Sequence, residues 1–185
     1  DALFIFAYDD IDSIQYFGEN LKAYWKKDGK SMEEAILEAA NEYDTLLERC
    51  NRFSDRIKNE AIAKGSEKYA ELLQLALRQV MAAHKLVVDK KGNNLYISKE
   101  CHSNGCAATV DVSYPSVPLY LLYCPELVRA MCRPIMKFCK MPVWHYDFAP
   151  HDMGQYPILN YQVYGYNSEK GEYVSDEQMP VEECG

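Results

Sequence analysis

The residues best equipped for chemistry lie in the second half of this chain. His151 and Asp152 are adjacent in Ala149-Pro150-His151-Asp152-Met153-Gly154, a stretch bounded by proline and glycine. An imidazole and a carboxylate on such a turn can orient a hydroxyl, a carbonyl or an attacking water. The alternative is a loop whose aspartate caps its own backbone and whose histidine is buried and satisfied. Glu100, Asp111, Glu182 and Glu183 add further carboxylates. Two carboxylates facing a scissile bond suit acid–base hydrolysis of a glycoside, but spacing along the chain does not select the pair.

Cys101 and Cys106, with His102 between them, invite a zinc reading. Structural zinc needs four ligands with a recognisable second pair, and Cys124, Cys132, Cys139 and Cys184 are not spaced to supply it. Cys132 and Cys139 fall at helical spacing in an apolar stretch and read as core thiols. A bridge between Cys101 and Cys106, or a Cys–His nucleophile formed with His102 or His151, is left open by the spacing. Asp9, Asp10 and Asp12 lack the spacing of a calcium-binding helical hand. The chain contains no P-loop, dinucleotide fingerprint, Gly-x-Ser-x-Gly elbow or His-Glu-x-x-His. The expectation is therefore no metal site and no cofactor.

These groups need elements to position them. Residues 2–8 read as a short buried strand, by length and absence of charge. Ser31 followed by Glu34 fits a capping box opening a helix, whose apolar positions Ile36, Ala39, Ala40, Tyr43, Leu46, Leu47, Cys50, Phe53 and Ile57 step by three and four. Gly65 supplies the stop, and Ser66 can cap the next helix, expected over 67–88 and apolar enough to be buried on most sides. A turn at 90–94, a short strand at 95–97, an irregular stretch over 98–118 and a helix over 125–140 follow. Pro134 should bend or shorten that last helix. A long loop covers 144–157, and Gln162–Tyr166 reads as another strand. Helices joined by feature-rich loops place function on the loops.

The chain has 185 residues and a formal net charge of −8, from 20 Lys and Arg against 28 Asp and Glu. The acidic balance argues against nucleic acid, which needs a clustered basic surface. No apolar run approaches the ~20 residues that span a bilayer, so membrane insertion is not expected. The 15 tyrosines suit surfaces that are partly apolar and partly wet. The apolar start and the closing string Met179-Pro180-Val181-Glu182-Glu183-Cys184-Gly185 read as the edges of an excerpt from a longer protein.

Taken as a set, ordered blocks resemble the glutaminase A-like family. They are Tyr8-Asp9-Asp10-Ile11 with Gln15-Tyr16-Phe17-Gly18, and Ser98-Lys99-Glu100 with Ser103-Asn104-Gly105. Thr109-Val110-Asp111-Val112-Ser113-Tyr114-Pro115-Ser116, Ala149 to Pro157 and Met179 to Gly185 complete the set. Cys101, Cys106 and Cys124 depart from the family pattern. The resemblance implies a mainly α fold, with helical hairpins forming part of an (α/α)6 six-hairpin glycosidase-like toroid and a few short strands. Residues 1–185 would be one fragment of the helical domain, with 1–30 a lead-in of strand and aromatics and 31–185 the hairpins. The implied protein is secreted or periplasmic, and its implied activity is hydrolysis of the glutamine side-chain amide.

Three readings follow. In the first, one of Asp111, Asp152, Glu182 or Glu183 activates water while His151 or Asn104 orients the carbonyl, with Glu100 beside the substrate. In the second, the chain belongs to a glycoside hydrolase or sugar-binding module in which Tyr114, Trp144, Tyr146 and Tyr156 stack on sugar rings. A short Pro150-His151-Asp152-x-Gly154 echo of some retaining glycosidases supports that. The third is a non-catalytic scaffold. The expected partners are a small-molecule substrate, glutamine or a glycan, and the rest of the parent polypeptide.

Overall fold

A computed structural model describes residues 3–102, 104–174, 177–181 and 183. The chain divides into two compact units, one of residues 1–9 and 28–82, the other of residues 10–27 and 83–185. The architecture is mainly α with short strands.

The first unit is a helical hairpin. Helix α1 spans Met32–Lys64 and α2 spans Glu67–Ala82. The capping box forms: Glu34 N–H donates to Ser31 Oγ at 3.2 Å, and Ser31 N–H donates to Glu34 Oε2 at 2.8 Å. Two orphan amides are thereby satisfied, and Glu33 and Glu34 also complement the positive end of the helix. Gly65 ends α1, and Ser66 Oγ accepts Tyr69 N–H to start α2. The two helices pack with Ile57, Ala61 and Ala70 buried, and Gln74 Nε2 donates to Ser54 Oγ at 2.7 Å.

Two expectations change here. Residues 3–8 form no strand, and Phe4, Phe6 and Tyr8 are exposed, because an extended run becomes a strand only when a neighbour takes its backbone hydrogen bonds. Helix α2 is not buried on most sides: Leu72 and Leu75 stand exposed, since within this unit α1 covers a single side.

The second unit holds the seven strands of the described residues. β1 (Ile14–Tyr16) and β2 (Glu19–Leu21) form an antiparallel hairpin, and β5 (Ile158–Leu159) adds to β1 in parallel. Phe17 and Gly18 both take positive φ, as a two-residue hairpin turn requires. β3 (His84–Val88) pairs with β4 (Asn94–Ser98), with Val87 opposite Leu95. This corrects the helix expected to run to 88. The β-branched Val87 and Val88 lead into a loop tied by Asp89 Oδ1, which accepts Lys91 N–H and Asn93 N–H at 2.8 Å each.

The stretch expected to be irregular over 98–118 carries the short helix α3 (Val110–Ser113), and a second, α4 (Val117–Tyr123), opens at its end. Helix α5 spans Pro125–Phe138, with Pro134 buried inside it, and ends two residues short of expectation. It lies along β4, and Arg133 donates to the Asn94 carbonyl at 2.8 Å. β6 (Tyr166–Asn167) and β7 (Glu172–Tyr173) replace the strand expected at 162–166.

The core gathers Ile14, Val87, Ile97, Phe138, Trp144 and Met153. Phe138 is central, with Phe17 stacked at 6.0 Å and Trp144 and Tyr173 at 5.6 and 5.8 Å. Cys139 packs against this core and its thiol titration is pushed up by burial. Cys132 is exposed, correcting its reading as a core thiol: α5 turns that side away from the core. The described cysteines, Cys101 and Cys106 included, are unpaired.

Candidate functional site

The site is assembled by backbone hydrogen bonds between two segments remote in sequence. Past the end of β4, Ala108 N–H donates to the Ser98 carbonyl at 2.9 Å and Glu100 N–H to Cys106 O at 2.8 Å. Residues 105–110 are then laced to the loop 151–156. Ala107 N–H donates to Gly154 O (2.8 Å), Met153 N–H to Ala107 O (3.0 Å), Val110 N–H to His151 O (3.0 Å) and Tyr156 N–H to Gly105 O (3.0 Å). Ala108 takes a positive φ of 55°, a conformation that costs an L-residue energy and persists only where its surroundings enforce it. Ser98 Oγ and Ser113 Oγ, 2.8 Å apart, fasten α3 to β4. Asp111, in the first turn of α3, is thus held across from His151.

His151 and Asp152 form a fixed pair. Asp152 is buried, its Oδ2 is 2.8 Å from His151 Nδ1, and its Oδ1 accepts Gly154 N–H at 2.8 Å. Gly154 has φ +129°, and a Cβ there would lie 2.4 Å from the Ile158 carbonyl oxygen, so only glycine fits. With Nδ1 held by Asp152, Nε2 faces Asp111 Oδ1 at 4.0 Å. One carboxylate oxygen each of Asp111 and Glu183 and a ring nitrogen of His151 lie within 4.8 Å of one another. Glu183 is 4% exposed, and Asp111 Oδ1 is shielded from solvent and accepts no hydrogen bond from the described residues.

The hydrogen bond to Asp152 raises the pKa of His151; burial opposes it, and the charges of Asp152, Glu183 and Asp111 add to the rise. Cys106 Sγ also lies within 4.8 Å of His151 and Asp152, a gathering with the composition of a nucleophilic triad. Burial, followed by the negative charges of Asp152 and Glu100, pushes its thiol up to about 12, so it stays protonated at neutral pH. A nucleophilic cysteine needs the opposite shift.

The remaining candidates fall in different places. Glu100 Oε2 accepts from Thr109 Oγ1 at 3.4 Å, on the same strand-to-helix connection. Asn104 clamps the connection itself: its Oδ1 accepts Cys106 N–H at 2.8 Å and its carbonyl accepts Gln155 Nε2 at 2.9 Å. Tyr114 is exposed in the turn after α3. Trp144 is buried, its Nε1 donating to Phe148 O at 2.9 Å, with Phe138 and Tyr146 against its ring. Tyr146 stacks on Phe148 and donates to Tyr173 O. Tyr156 packs on the core with Lys99 Nζ 5.5 Å from its ring centroid. Glu182 and Cys184 lie outside the described residues. Thr109 and Gly154 hold the site without having been singled out from sequence as individual residues. A glycine directly after a His-Asp-Met run is the one local signal for the second.

The chain, mainly α with a polar cluster gathered from the start of α3, the 151–156 loop and Glu183, matches known proteins over most of its length. The family model for the glutaminase A six helical-hairpin domain matches residues 66–185, and that for a domain of unknown function, DUF5127, matches residues 1–60. The gap between the two matches, residues 61–65, takes in the last turn of α1 and Gly65, inside one compact unit. Glutaminase A of Aspergillus oryzae is 30% identical over 179 residues, covering 94% of this chain and 24% of that protein. A probable glutaminase of Arthroderma benhamiae is 31% identical over 136 residues, covering 73% of this chain and 15% of that protein. The chain thus spans a quarter or less of the curated relatives' length. No solved structure matches it. The chain belongs to the glutaminase A-like family.

Proposed function

We propose that this chain supplies a water-activating cluster to a hydrolase acting on the side-chain amide of glutamine. The observation that carries the reading is the buried Asp152–His151 pair with Asp111 and Glu183 gathered on its open side. The names of the relatives supply the substrate class, and the cluster supplies groups suited to the reaction. Asp111 or Glu183 accepts the proton of a water whose oxygen bonds to the amide carbon, while His151 faces the carbonyl oxygen. Collapse of that intermediate breaks the C–N bond, and the nitrogen leaves as ammonia after taking a proton, with glutamate as the other product. Asp152 is a positioning residue: it holds the ring through Nδ1. The family resemblance supports placing the whole protein outside the cytoplasm. Among the described residues no helix is long and apolar enough to cross a membrane.

The test is ammonia release from L-glutamine by the full-length protein. Turnover that falls at least about 100-fold in Asp111→Asn is expected, as for loss of a positioned acid–base group. Folded protein that releases no ammonia overturns the reading. A second reading, glycoside hydrolysis, rests on the Asp111 and Glu183 oxygens lying within 4.8 Å, near the spacing of about 5–5.5 Å typical of retaining enzymes. Trp144 and Tyr146 are engaged in the core and do not offer free sugar platforms there. A panel of aryl glycosides separates the two.

A further inference from the structure

We infer that Asp111, His151 and Glu183 form a binding site for one divalent cation of the zinc or manganese type, with Asp152 orienting the imidazole. The inference rests on the proposed hydrolytic site for its location. With an ion bound, Asp111, Glu183 and His151 would serve as its ligands, and the ion would take over the water activation and carbonyl polarisation assigned above to the unliganded side chains.

Four observations carry it. The donor set is mixed, one imidazole and two carboxylates, which suits borderline divalent ions better than calcium or magnesium. The second is the bond from His151 Nδ1 to the buried Asp152 carboxylate at 2.8 Å. Metal-bound histidines almost always give their other ring nitrogen to such a group, which fixes the ring and aims the free nitrogen at the ion. The third is distance. Nε2 and Asp111 Oδ1 are 4.0 Å apart, too far for a hydrogen bond. Two donors that each sit about 2.1 Å from one ion lie about 3.0–4.2 Å apart, so this gap has the width of an ion. The fourth is charge. Asp152 and Glu183 are both buried, and Asp111 Oδ1 is shielded from water without a hydrogen bond from the described residues. Buried carboxylates are held by pairing or by a metal, and Asp152 and Glu183 are two such groups, with the half-exposed Asp111 turning its shielded oxygen toward the same imidazole.

The alternative set in the same place, Cys106 with His151 and Asp152, fits less well. Both oxygens of Asp152 are already engaged, one by His151 and one by Gly154 N–H, and binding through that set would break one of these bonds. Three protein ligands leave coordination positions open, as catalytic rather than structural sites do. A bound ion would lower the pKa of a coordinated water and polarise a carbonyl oxygen.

The test uses full-length protein stripped with a chelator and titrated calorimetrically with Zn(II) and with Mn(II). Wild type is expected to bind an equivalent that Asp111→Asn and Glu183→Gln each lose or bind at least about 10-fold more weakly. Asp152→Asn should weaken it by roughly 10–100-fold, the range for losing a carboxylate behind a histidine ligand. Circular dichroism and melting confirm that each variant is folded. Mn(II) should also broaden the ring signals of His151 in the wild-type protein, a readout that needs no variant. Absence of binding in wild type, identical titrations in the variants, or His151 signals untouched by Mn(II) overturns the site. Ammonia release is read separately: ion-loaded protein that fails to hydrolyse glutamine overturns the amide reading and leaves the ion site standing.

Discussion

The α1–α2 hairpin and the loop-built site follow opposite principles. In the hairpin the signals that start and stop each helix are local. The cap at Ser31 and Glu34, the stop at Gly65, the cap at Ser66 and the ion pairs Glu48–Arg52 and Arg56–Glu60 each span four residues or fewer. Such pairs contribute only about 0.3–0.5 kcal/mol each, and little side-chain area is buried. Around Asp111 and His151 the bonds instead join residues more than forty apart in sequence. The backbone there accepts an unfavourable conformation at Ala108, because the ladder to 151–156 holds it. A helix can be written by neighbours; a site of four acidic and basic groups needs a scaffold that closes on itself.

Substitutions can break this contrast, and the largest effect belongs to the core beneath the site. Phe138→Ala removes a fully buried ring wedged among Phe17, Trp144 and Tyr173, and should destabilise the protein by about 3–5 kcal/mol in a denaturant titration. Gly154→Ala comes next, at about 3 kcal/mol, since its Cβ meets the Ile158 and Tyr161 carbonyl oxygens and its φ is positive. It should also displace Asp152, because Gly154 N–H is one of that carboxylate's two partners. In the hairpin, Ser31→Ala removes one cap and should cost about 1 kcal/mol. A Gly154→Ala protein no less stable than Ser31→Ala would show that the loop ladder is not what holds the site.

The same contrast explains what could be read before the fold was known. The boundaries of α1 and the start of α2 were legible because capping box, glycine stop and serine cap lie in adjacent residues. The β3 strand was not, because His84-Lys85-Leu86-Val87-Val88 continues the apolar run of α2, and only its pairing with β4 distinguishes a strand there. Residues 3–8 show the converse: an apolar run of strand length that pairs with no strand among the described residues. At the site, His151, Asp152, Asp111 and Glu183 stood out by chemical type, yet nothing in their spacing paired Asp111 with His151. That pairing is made by Val110 N–H and the His151 carbonyl, a backbone bond that leaves no mark on side-chain identity. Trp144 stood out with Tyr114, Tyr146 and Tyr156 as an aromatic face for sugar stacking, and its indole is spent on the core instead.

The finest difference between the two regions is their response to pH. Residues 28–82 contain no histidine, so the hairpin has no imidazole to titrate near neutrality. His151 does, and the Asp152 hydrogen bond, working against burial and helped by the charges of Asp152, Glu183 and Asp111, raises its pKa above that of a free imidazole. A raised folded-state value means that the folded protein holds the proton more tightly than the unfolded chain. The stabilisation from His151 is then complete below the unfolded value of about 6.5 and is lost as pH rises through the folded midpoint. Asp152→Asn removes the largest cause of the rise while burial still opposes protonation. In chelator-stripped protein followed by NMR, the His151 ring should titrate above about 6.5 in wild type and at lower pH in the variant. The wild-type melting temperature should fall over that interval by more than that of Asp152→Asn, whereas Ser31→Ala should shift the wild-type curve downward without changing its slope. A wild-type His151 midpoint at or below 6.5 would mean that burial outweighs the carboxylates, and that the loop ladder does not deliver Asp152 to the ring as described.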